Sequence, residues 1–395
     1  MNVDKIRKDF PLLQGENGKK VPIYFDNACT TLRPVSVLDK MKEYYELYPG
    51  CGGRSHHKIG EKVTEEVVRA RITAAKFFNA KSESEIIFTR NTTEGMNLIA
   101  NAFRWNKGDK VLTSDKEHNS NLVPWLLLKE KGIIKHEIFK FGDLDDFSRK
   151  VRGARLVSFV HSSNVDGTSN PIREMIKIAH DAGALVLIDA AQSAPHKEVD
   201  VRKLDCDFLA CSGHKMLGPS GMGILYGKQE HLEKLNQFMV GGETVTNTTY
   251  TSFVPEKIPE RFEAGLQNYG GIVGYAEALR YLKKIGLSDV EKHEQKLNER
   301  LSAGLLKLGV KIIGPSDAKL RGGVAAFNVG KMNPHDVSLM LDSFGIMTRS
   351  GMHCVHSWFN AQGLNGSSRA SLYLYNTEDE VDFMLDKMKD IAKLG

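Results

Sequence analysis

Cysteine is scarce in this sequence. Five occur in 395 residues, Cys29, Cys51, Cys206, Cys211 and Cys354, and no two are spaced C-x-x-C. An odd number without paired spacing argues against a disulfide framework and a structural zinc knuckle, and fits a reducing compartment. Long apolar runs are also missing: none approaches the roughly 18 residues of a membrane span. Residues 1–10 are polar and of mixed charge, without the apolar centre of a secretory signal, so a cytoplasmic protein with no membrane partner is the expectation. No block of one charge occurs. The 54 Lys and Arg against 49 Asp and Glu leave a net charge of +5, and its even scatter reads as a solvated surface rather than a nucleic-acid site. Internal repeats and low-complexity tracts are absent, as is the G-x-x-x-x-G-K-[ST] loop of many nucleotide enzymes.

What is present is length and alternation. The chain exceeds the roughly 250–300 residues at which one hydrophobic core stops growing, so two domains are expected. Short apolar runs at residues 85–89, 110–114, 156–161, 185–189, 208–212 and 222–226 read as strands. Helical patterns lie between them, at 93–103 and between Pro171 and Gly183, the latter with proline first and glycine last. Continuous apolar strands alternating with helices predict an α/β fold with a mostly parallel sheet covered on both faces. The C-terminal third differs. Ser288 and Glu291 read as a capping box opening a helix to about residue 308, with Leu297, Leu301, Leu305 and Leu308 on one face. A strand at 324–329, a helix at 334–344 and an amphipathic helix at 380–394 complete a smaller α+β domain, joined near residue 285.

Ligands of such sheets bind beyond the carboxyl ends of the strands. The strand at 185–189 ends in Asp189, followed by Ala190-Ala191-Gln192. A carboxylate after four apolar residues needs a cation or a donor. The protonated ring nitrogen of pyridoxal phosphate would serve; so would a helix cap or a magnesium ion. The strand at 208–212 runs into Gly213-His214-Lys215, and a lysine in a glycine-framed loop can capture an aldehyde. Arg90-Asn91-Thr92-Thr93-Glu94-Gly95 opens a helix with two hydroxyls and free backbone N–H groups. That suits a phosphate, or an ordinary cap.

These segments, in this order, resemble class V, fold-type I pyridoxal-phosphate enzymes, most nearly the group II (Suf-type) cysteine desulfurases and selenocysteine lyases. The resemblance runs from Tyr24-Phe25-Asp26-Asn27-Ala28 to Arg369-Ala370-Ser371-Leu372, and is most specific from Ser163-Asn164 through Gly223. It implies a large domain over residues 20–285 with a seven-stranded sheet, and a small domain of 1–19 and 286–395 carrying a cysteine loop. It implies that Lys215 tethers the coenzyme, Asp189 meets its ring nitrogen, and Gln192 its phenolic oxygen. His118, in Glu117-His118-Asn119, would stack on the ring. Thr92, Thr93, Ser212 and His214 would hold the phosphate, with Asn164 beside the coenzyme and the substrate.

In Arg349-Ser350-Gly351-Met352-His353-Cys354, the resemblance makes Cys354 the thiol that receives sulfur. Asn27, Ala28, Asn164, Arg349 and Arg369 would bind the substrate, L-cysteine, whose carboxylate suits a guanidinium fork. The implied products are alanine and a persulfide passed to an acceptor protein for iron–sulfur or other thio-cofactor assembly, in a homodimer. A selenocysteine lyase, another carbon–sulfur lyase or an aminotransferase of the same fold is the alternative. No metal is expected, although His353, Cys354 and His356 are close in sequence.

The chain departs from the family at Leu266, in Phe262-Glu263-Ala264-Gly265-Leu266-Gln267-Asn268, where the family has a threonine reaching the partner subunit's phosphate. Gln267 or Tyr269 is the expected substitute. Cys206 and Cys211 flank a strand and read as core residues, while Cys29 and Cys51 fall in turns near the expected site.

Overall fold

The computed structural model describes residues 1–15 and 21–395, so the expected domain boundary between residues 19 and 20 lies outside the described residues. The central sheet has seven strands: β1 (Ile86–Thr89), β2 (Asp109–Ser114), β3 (Ile134–Phe139), β4 (Ala154–Val160), β5 (Leu185–Asp189), β6 (Phe208–Ser212) and β7 (Gly223–Gly227). Their spatial order is β1-β7-β6-β5-β4-β2-β3. Strands β2 to β6 pair in parallel, and β7 runs antiparallel to both its neighbours. The expected α/β architecture is therefore present.

Its strands read as unbroken apolar runs because both faces are covered. Val186 and Ile188 enter one core while Leu187 enters the other; Leu209 and Cys211 oppose Phe208 and Ala210 in the same way. β3 escapes the sequence pattern. It is an edge strand in which Lys135, Glu137 and Ile138 face solvent, so neither an apolar run nor clean alternation marks it.

From residue 311 a four-stranded antiparallel sheet forms in the order Lys311–Ile312, Val324–Asn328, Ser367–Ser371, Arg349–Gly351. It packs on Leu297, Leu301 and Leu305 of one helix and Met384 and Met388 of another, giving a core of its own. The expected capping box at Ser288 does not form. The helix runs Leu287–Lys307 from an N-cap at Gly286, where φ is 91° and no side chain caps the end. The preceding helix stops at Ile285, so Ser288 already lies inside the next one. Working capping boxes stand instead at Ser82 with Glu85 and at Thr377 with Glu380. Ile23–Tyr24 pairs in parallel with Ile346–Met347, and Phe25 enters the C-terminal core, so this early segment adheres to the second unit. No helix among the described residues is long and apolar enough to cross a membrane.

A buried ion pair ties the outer helix Lys58–Phe78 to the sheet. Arg71 meets Glu263 through two N–H···O contacts of 2.6 and 2.8 Å, and also donates to the Ile86 carbonyl at 2.8 Å. Glu263 accepts the Phe88 N–H at 2.6 Å. Removing one member leaves the other charge buried and unpaired. Glu263→Ala should therefore cost about 3–5 kcal/mol of unfolding free energy in urea titrations.

Two buried histidines set a pH dependence. Burial pushes His161 down to about 3 and His136 down to about 4. Below the ordinary histidine value of about 6.5 the unfolded chain binds protons that the folded chain refuses. This contribution is full above that value and is lost as the pH falls toward about 4, by about 1.4 kcal/mol per unit for each group. Calorimetric melting should show the decline, with a shallower slope for His161→Gln.

Candidate active site

Five parallel strand ends converge on one edge of the sheet, and the chemistry-bearing residues follow them directly. Thr92 follows β1, His118 follows β2, Asn164 follows β4, Asp189 closes β5, and Ser212 closes β6 with Lys215 next. They line a cleft of about 200 Å³ together with Ala28, Thr93, Gln192, His214, Arg349, Cys354 and Arg369. Of the residues expected at the site, Asn27 alone stays out. Its amide Nδ2 donates to the Ser371 carbonyl at 2.7 Å and to Asn376 Oδ1 at 3.2 Å, and Tyr375 Oη donates to its Oδ1. Fully buried and fully bonded, Asn27 braces the turn that presents Ala28 rather than meeting a ligand.

Glycine lets the strands and the Lys215 loop come close. A Cβ on Gly223 would stand 2.7 Å from Asn91 Cα, and one on Gly218 would stand 2.8 Å from the Tyr275 ring. Thr92 therefore reaches Ser212: its N–H donates to Ser212 Oγ at 2.9 Å and the two hydroxyls lie 2.7 Å apart. Thr93 Oγ1 and Ser120 Oγ are 2.6 Å apart. These hydroxyls stand at the N-terminus of the helix Thr92–Ala102, capped by Asn91. Together they form a concave donor set of the kind that holds a phosphate.

Deeper in the cleft, Asp189 is nearly inaccessible, and its Oδ1 accepts the Ala191 N–H at 2.9 Å. Burial raises its pKa, opposed by that N–H and by Lys215. Burial likewise lowers the pKa of Lys215, opposed by Asp189 and reinforced by Arg369. Neither group has a salt-bridge partner among the described residues. Gln192 Nε2 donates to the Ala28 carbonyl at 2.7 Å, while its Oε1 is buried without a partner. His118 Nδ1 accepts the Ser120 N–H at 3.1 Å, which leaves the proton of the neutral ring on Nε2. Burial, then Lys215, bring its pKa down to about 3, so the ring is neutral at physiological pH. His214 is brought down to about 4 by burial and Lys215.

A buried carboxylate, an unpaired amine, an orphaned amide oxygen and a hydroxyl cradle fit pyridoxal phosphate group by group. Asp189 matches the ring nitrogen, Lys215 the aldehyde, and Thr92, Thr93 and Ser212 the phosphate. At the departure from the family pattern around Leu266, both expected substitutes already have neighbours within this chain. Leu266 is exposed, Gln267 Nε2 is bonded to the Glu263 and Gly265 carbonyls at 2.9 and 3.0 Å, and Tyr269 is buried beside Cys51.

The cysteine loop closes the cleft. His353 and Cys354 both adopt left-handed backbone, φ 50° and 59°, and Cys354 is exposed. Two hydrogen bonds pin the loop: Asn164 Nδ2 donates to the His353 carbonyl at 2.7 Å, and the Asn119 N–H to the Cys354 carbonyl at 2.8 Å. Burial, then Arg369, hold His353 well below the usual histidine range, so it is neutral and supplies no positive charge to the thiol. Arg369 is buried. It donates to the Asn164 carbonyl at 2.8 Å, lies 3.4 Å from Asp26, and has no partner for its Nε. Arg349 is half-exposed, 2.9 Å from Cys29 Sγ and 3.6 Å from Asp26.

Sequence reasoning named Asn164 for the site but missed one of its roles, and it missed Glu117. Asn164 secures the cysteine loop in addition to facing the cleft. Glu117, fully buried beneath His118, is pushed up to about 8 by burial against the opposing bonds from Ser114, Val160 and Asn121. The unbroken polar run Asp115-Lys116-Glu117-His118-Asn119 concealed which members point inward. Cys206 and Cys211 are buried as expected, and burial raises both thiols.

The family model described as Aminotransferase class-V matches residues 23–384. A Pyrococcus abyssi protein described as “Probable cysteine desulfurase” is 39% identical over 398 residues, covering 99% of this chain and 98% of its own length. An Escherichia coli protein described as “Cysteine desulfurase” is 37% identical, covering 100% and 99%. The apo structure of a cysteine desulfurase from Thermococcus onnurineus superposes with a TM-score of 0.95 at 39% identity, over 100% of this chain and 99% of that one.

If the Asn164 bond holds the loop, Asn164→Ala should raise amide hydrogen exchange across residues 352–356 about tenfold, the equivalent of one hydrogen bond of about 1.4 kcal/mol.

Proposed function

The chain belongs to the class-V aminotransferase family, and from that membership we propose that this cleft takes sulfur from L-cysteine, with Lys215 holding the coenzyme and Cys354 receiving the sulfur. The carrying observation is that Lys215, Cys354 and the buried Arg369, whose Nε lacks a partner, border one cleft. The enzyme is a pyridoxal-phosphate-dependent cysteine desulfurase of Suf-type character. When bound, the coenzyme supplies an electron sink that makes the bonds at the substrate α-carbon labile.

The chain's residues do the rest. Arg369 grips the substrate carboxylate, with Arg349 at the mouth. Lys215 Nζ, biased toward the neutral amine by burial, takes the α-proton and returns it. Asp189, whose one N–H partner leaves its second oxygen free, would hold the ring nitrogen. His118, neutral, would stack on the ring and offer Nε2–H for proton transfer. Cys354 attacks as the thiolate: its Sγ forms a bond to the substrate sulfur while the carbon–sulfur bond breaks. L-Cysteine and a thiol become alanine and a Cys354 persulfide, with no outside oxidant.

The division into residues 20–285 and 1–19 with 286–395 belongs to this reading, as do a homodimer, a sulfur-acceptor protein and a cytoplasmic location. The five free cysteines support the last.

Alanine and sulfide are measured from purified, coenzyme-loaded protein given L-cysteine, with selenocysteine in parallel. Wild type should release alanine in step with sulfur. Cys354→Ala should stay yellow and lose at least about 99% of its cysteine turnover, since removal of a nucleophile costs several powers of ten. Lys215→Ala should lose the coenzyme's covalent fixation by borohydride. Full cysteine turnover in Cys354→Ala would sink the assignment.

A further inference from the structure

Cys29 is a second thiol inside the same cleft. It follows Ala28, whose carbonyl is held by Gln192, and it is half-buried where Cys354 is exposed. Its Sγ accepts a hydrogen bond from Arg349 Nη1 at 2.9 Å. Both sulfurs line one cleft, and both lie close enough to Lys215 to act on its charge. The same cleft is lined by buried Arg369, whose Nε has no partner among the described residues. The other two cysteines described as buried, Cys206 and Cys211, are sealed in the core and share none of these features.

We propose that Cys29 is a second sulfur-carrying residue, which receives the outer sulfur of the Cys354 persulfide. The proposal rests on the reading of Cys354 as the first acceptor. The Cys29 thiolate attacks the outer sulfur of Cys354–S–SH. A new sulfur–sulfur bond forms on Cys29, the bond to Cys354 Sγ breaks, and its electron pair leaves on Cys354 as a thiolate. One thiolate and one persulfide enter and one of each emerges, so no oxidant or reductant is needed. The freed Cys354 takes a second sulfur at the next turnover. Each active site then stores two sulfane sulfurs, one on exposed Cys354 for an acceptor and one on half-buried Cys29.

The test is a map of bound sulfur. Coenzyme-loaded protein is given excess L-cysteine without an acceptor, alkylated, digested and examined by mass spectrometry. Wild type should carry added sulfur on the peptides of both Cys354 and Cys29. Cys29→Ser should carry it on Cys354 alone, with total sulfane sulfur about halved. Cys354→Ala should carry none on Cys29. Sulfur confined to Cys354 in wild type overturns the proposal and leaves the desulfurase reading intact; sulfur on Cys29 in Cys354→Ala overturns the order of transfer. A wild type with sulfur on neither peptide overturns both readings. The wild-type map decides even if Cys29→Ser fails to fold.

Discussion

Asp189 and Lys215 face each other with too little solvent to keep both comfortably charged, and the active site is organised around that tension. Burial raises the carboxylic acid and lowers the amine, so desolvation alone would neutralise both. Each is the other's main opposing charge, yet they do not meet as a salt bridge among the described residues. An acid and a base that burial strips of solvent, without a salt bridge between them, are costly to the fold, and a coenzyme carrying an aldehyde and a basic ring nitrogen would satisfy both.

The parallel sheet makes that placement possible. β5 and β6 are neighbours with Asp189 opposite Ala210, so the carboxylate and the Lys215 loop leave the sheet at one edge. The same edge delivers Thr92, His118 and Asn164 from three other strands. A parallel arrangement puts all these carboxyl ends on one side, where an antiparallel one would send alternate ends away. The single reversed strand, β7, begins at that edge. Its first residue, Gly223, has no side chain, so Asn91 and the phosphate cradle can lie against it.

How much of this the sequence disclosed depended on whether the signal was local. β5 and β6 were legible to the residue because burial on both faces leaves only apolar side chains until a functional group interrupts. Lys215 and Asp189 stood out as such interruptions. The Cys354 loop and Arg369 were recognisable by resemblance, since neither periodicity nor spacing identifies a substrate-binding arginine. What stayed hidden was pairing across the chain. Asn164 meets His353 over 189 positions and Arg349 meets Cys29 over 320, and nothing local in either segment encodes the partner. Asn27 misled for the same reason: its neighbour Ala28 reaches the cleft, but its own amide is consumed by Ser371 and Asn376. The edge strand β3 was missed because solvent exposure replaced the apolar pattern with a mixed one.

The cysteine loop shows how this architecture can hold an exposed nucleophile in place. Two successive non-glycine residues in left-handed backbone cost roughly 1–2 kcal/mol each, and such a segment left alone would relax. Two hydrogen bonds to its carbonyls, together worth about 1–3 kcal/mol, offset much of that cost. One donor, Asn164, lines the cleft, and the other, Asn119, adjoins it. Asn119 directly follows His118, and Asn164 also gives its own carbonyl to Arg369. The position of Cys354 is therefore set by residues in and beside the cleft, rather than by a separate scaffold. On the proposed roles of Arg369 and Cys354, a carboxylate drawing on Arg369 would bear on the same asparagine that fixes the thiol, so that substrate arrival and nucleophile placement would share one short chain of bonds.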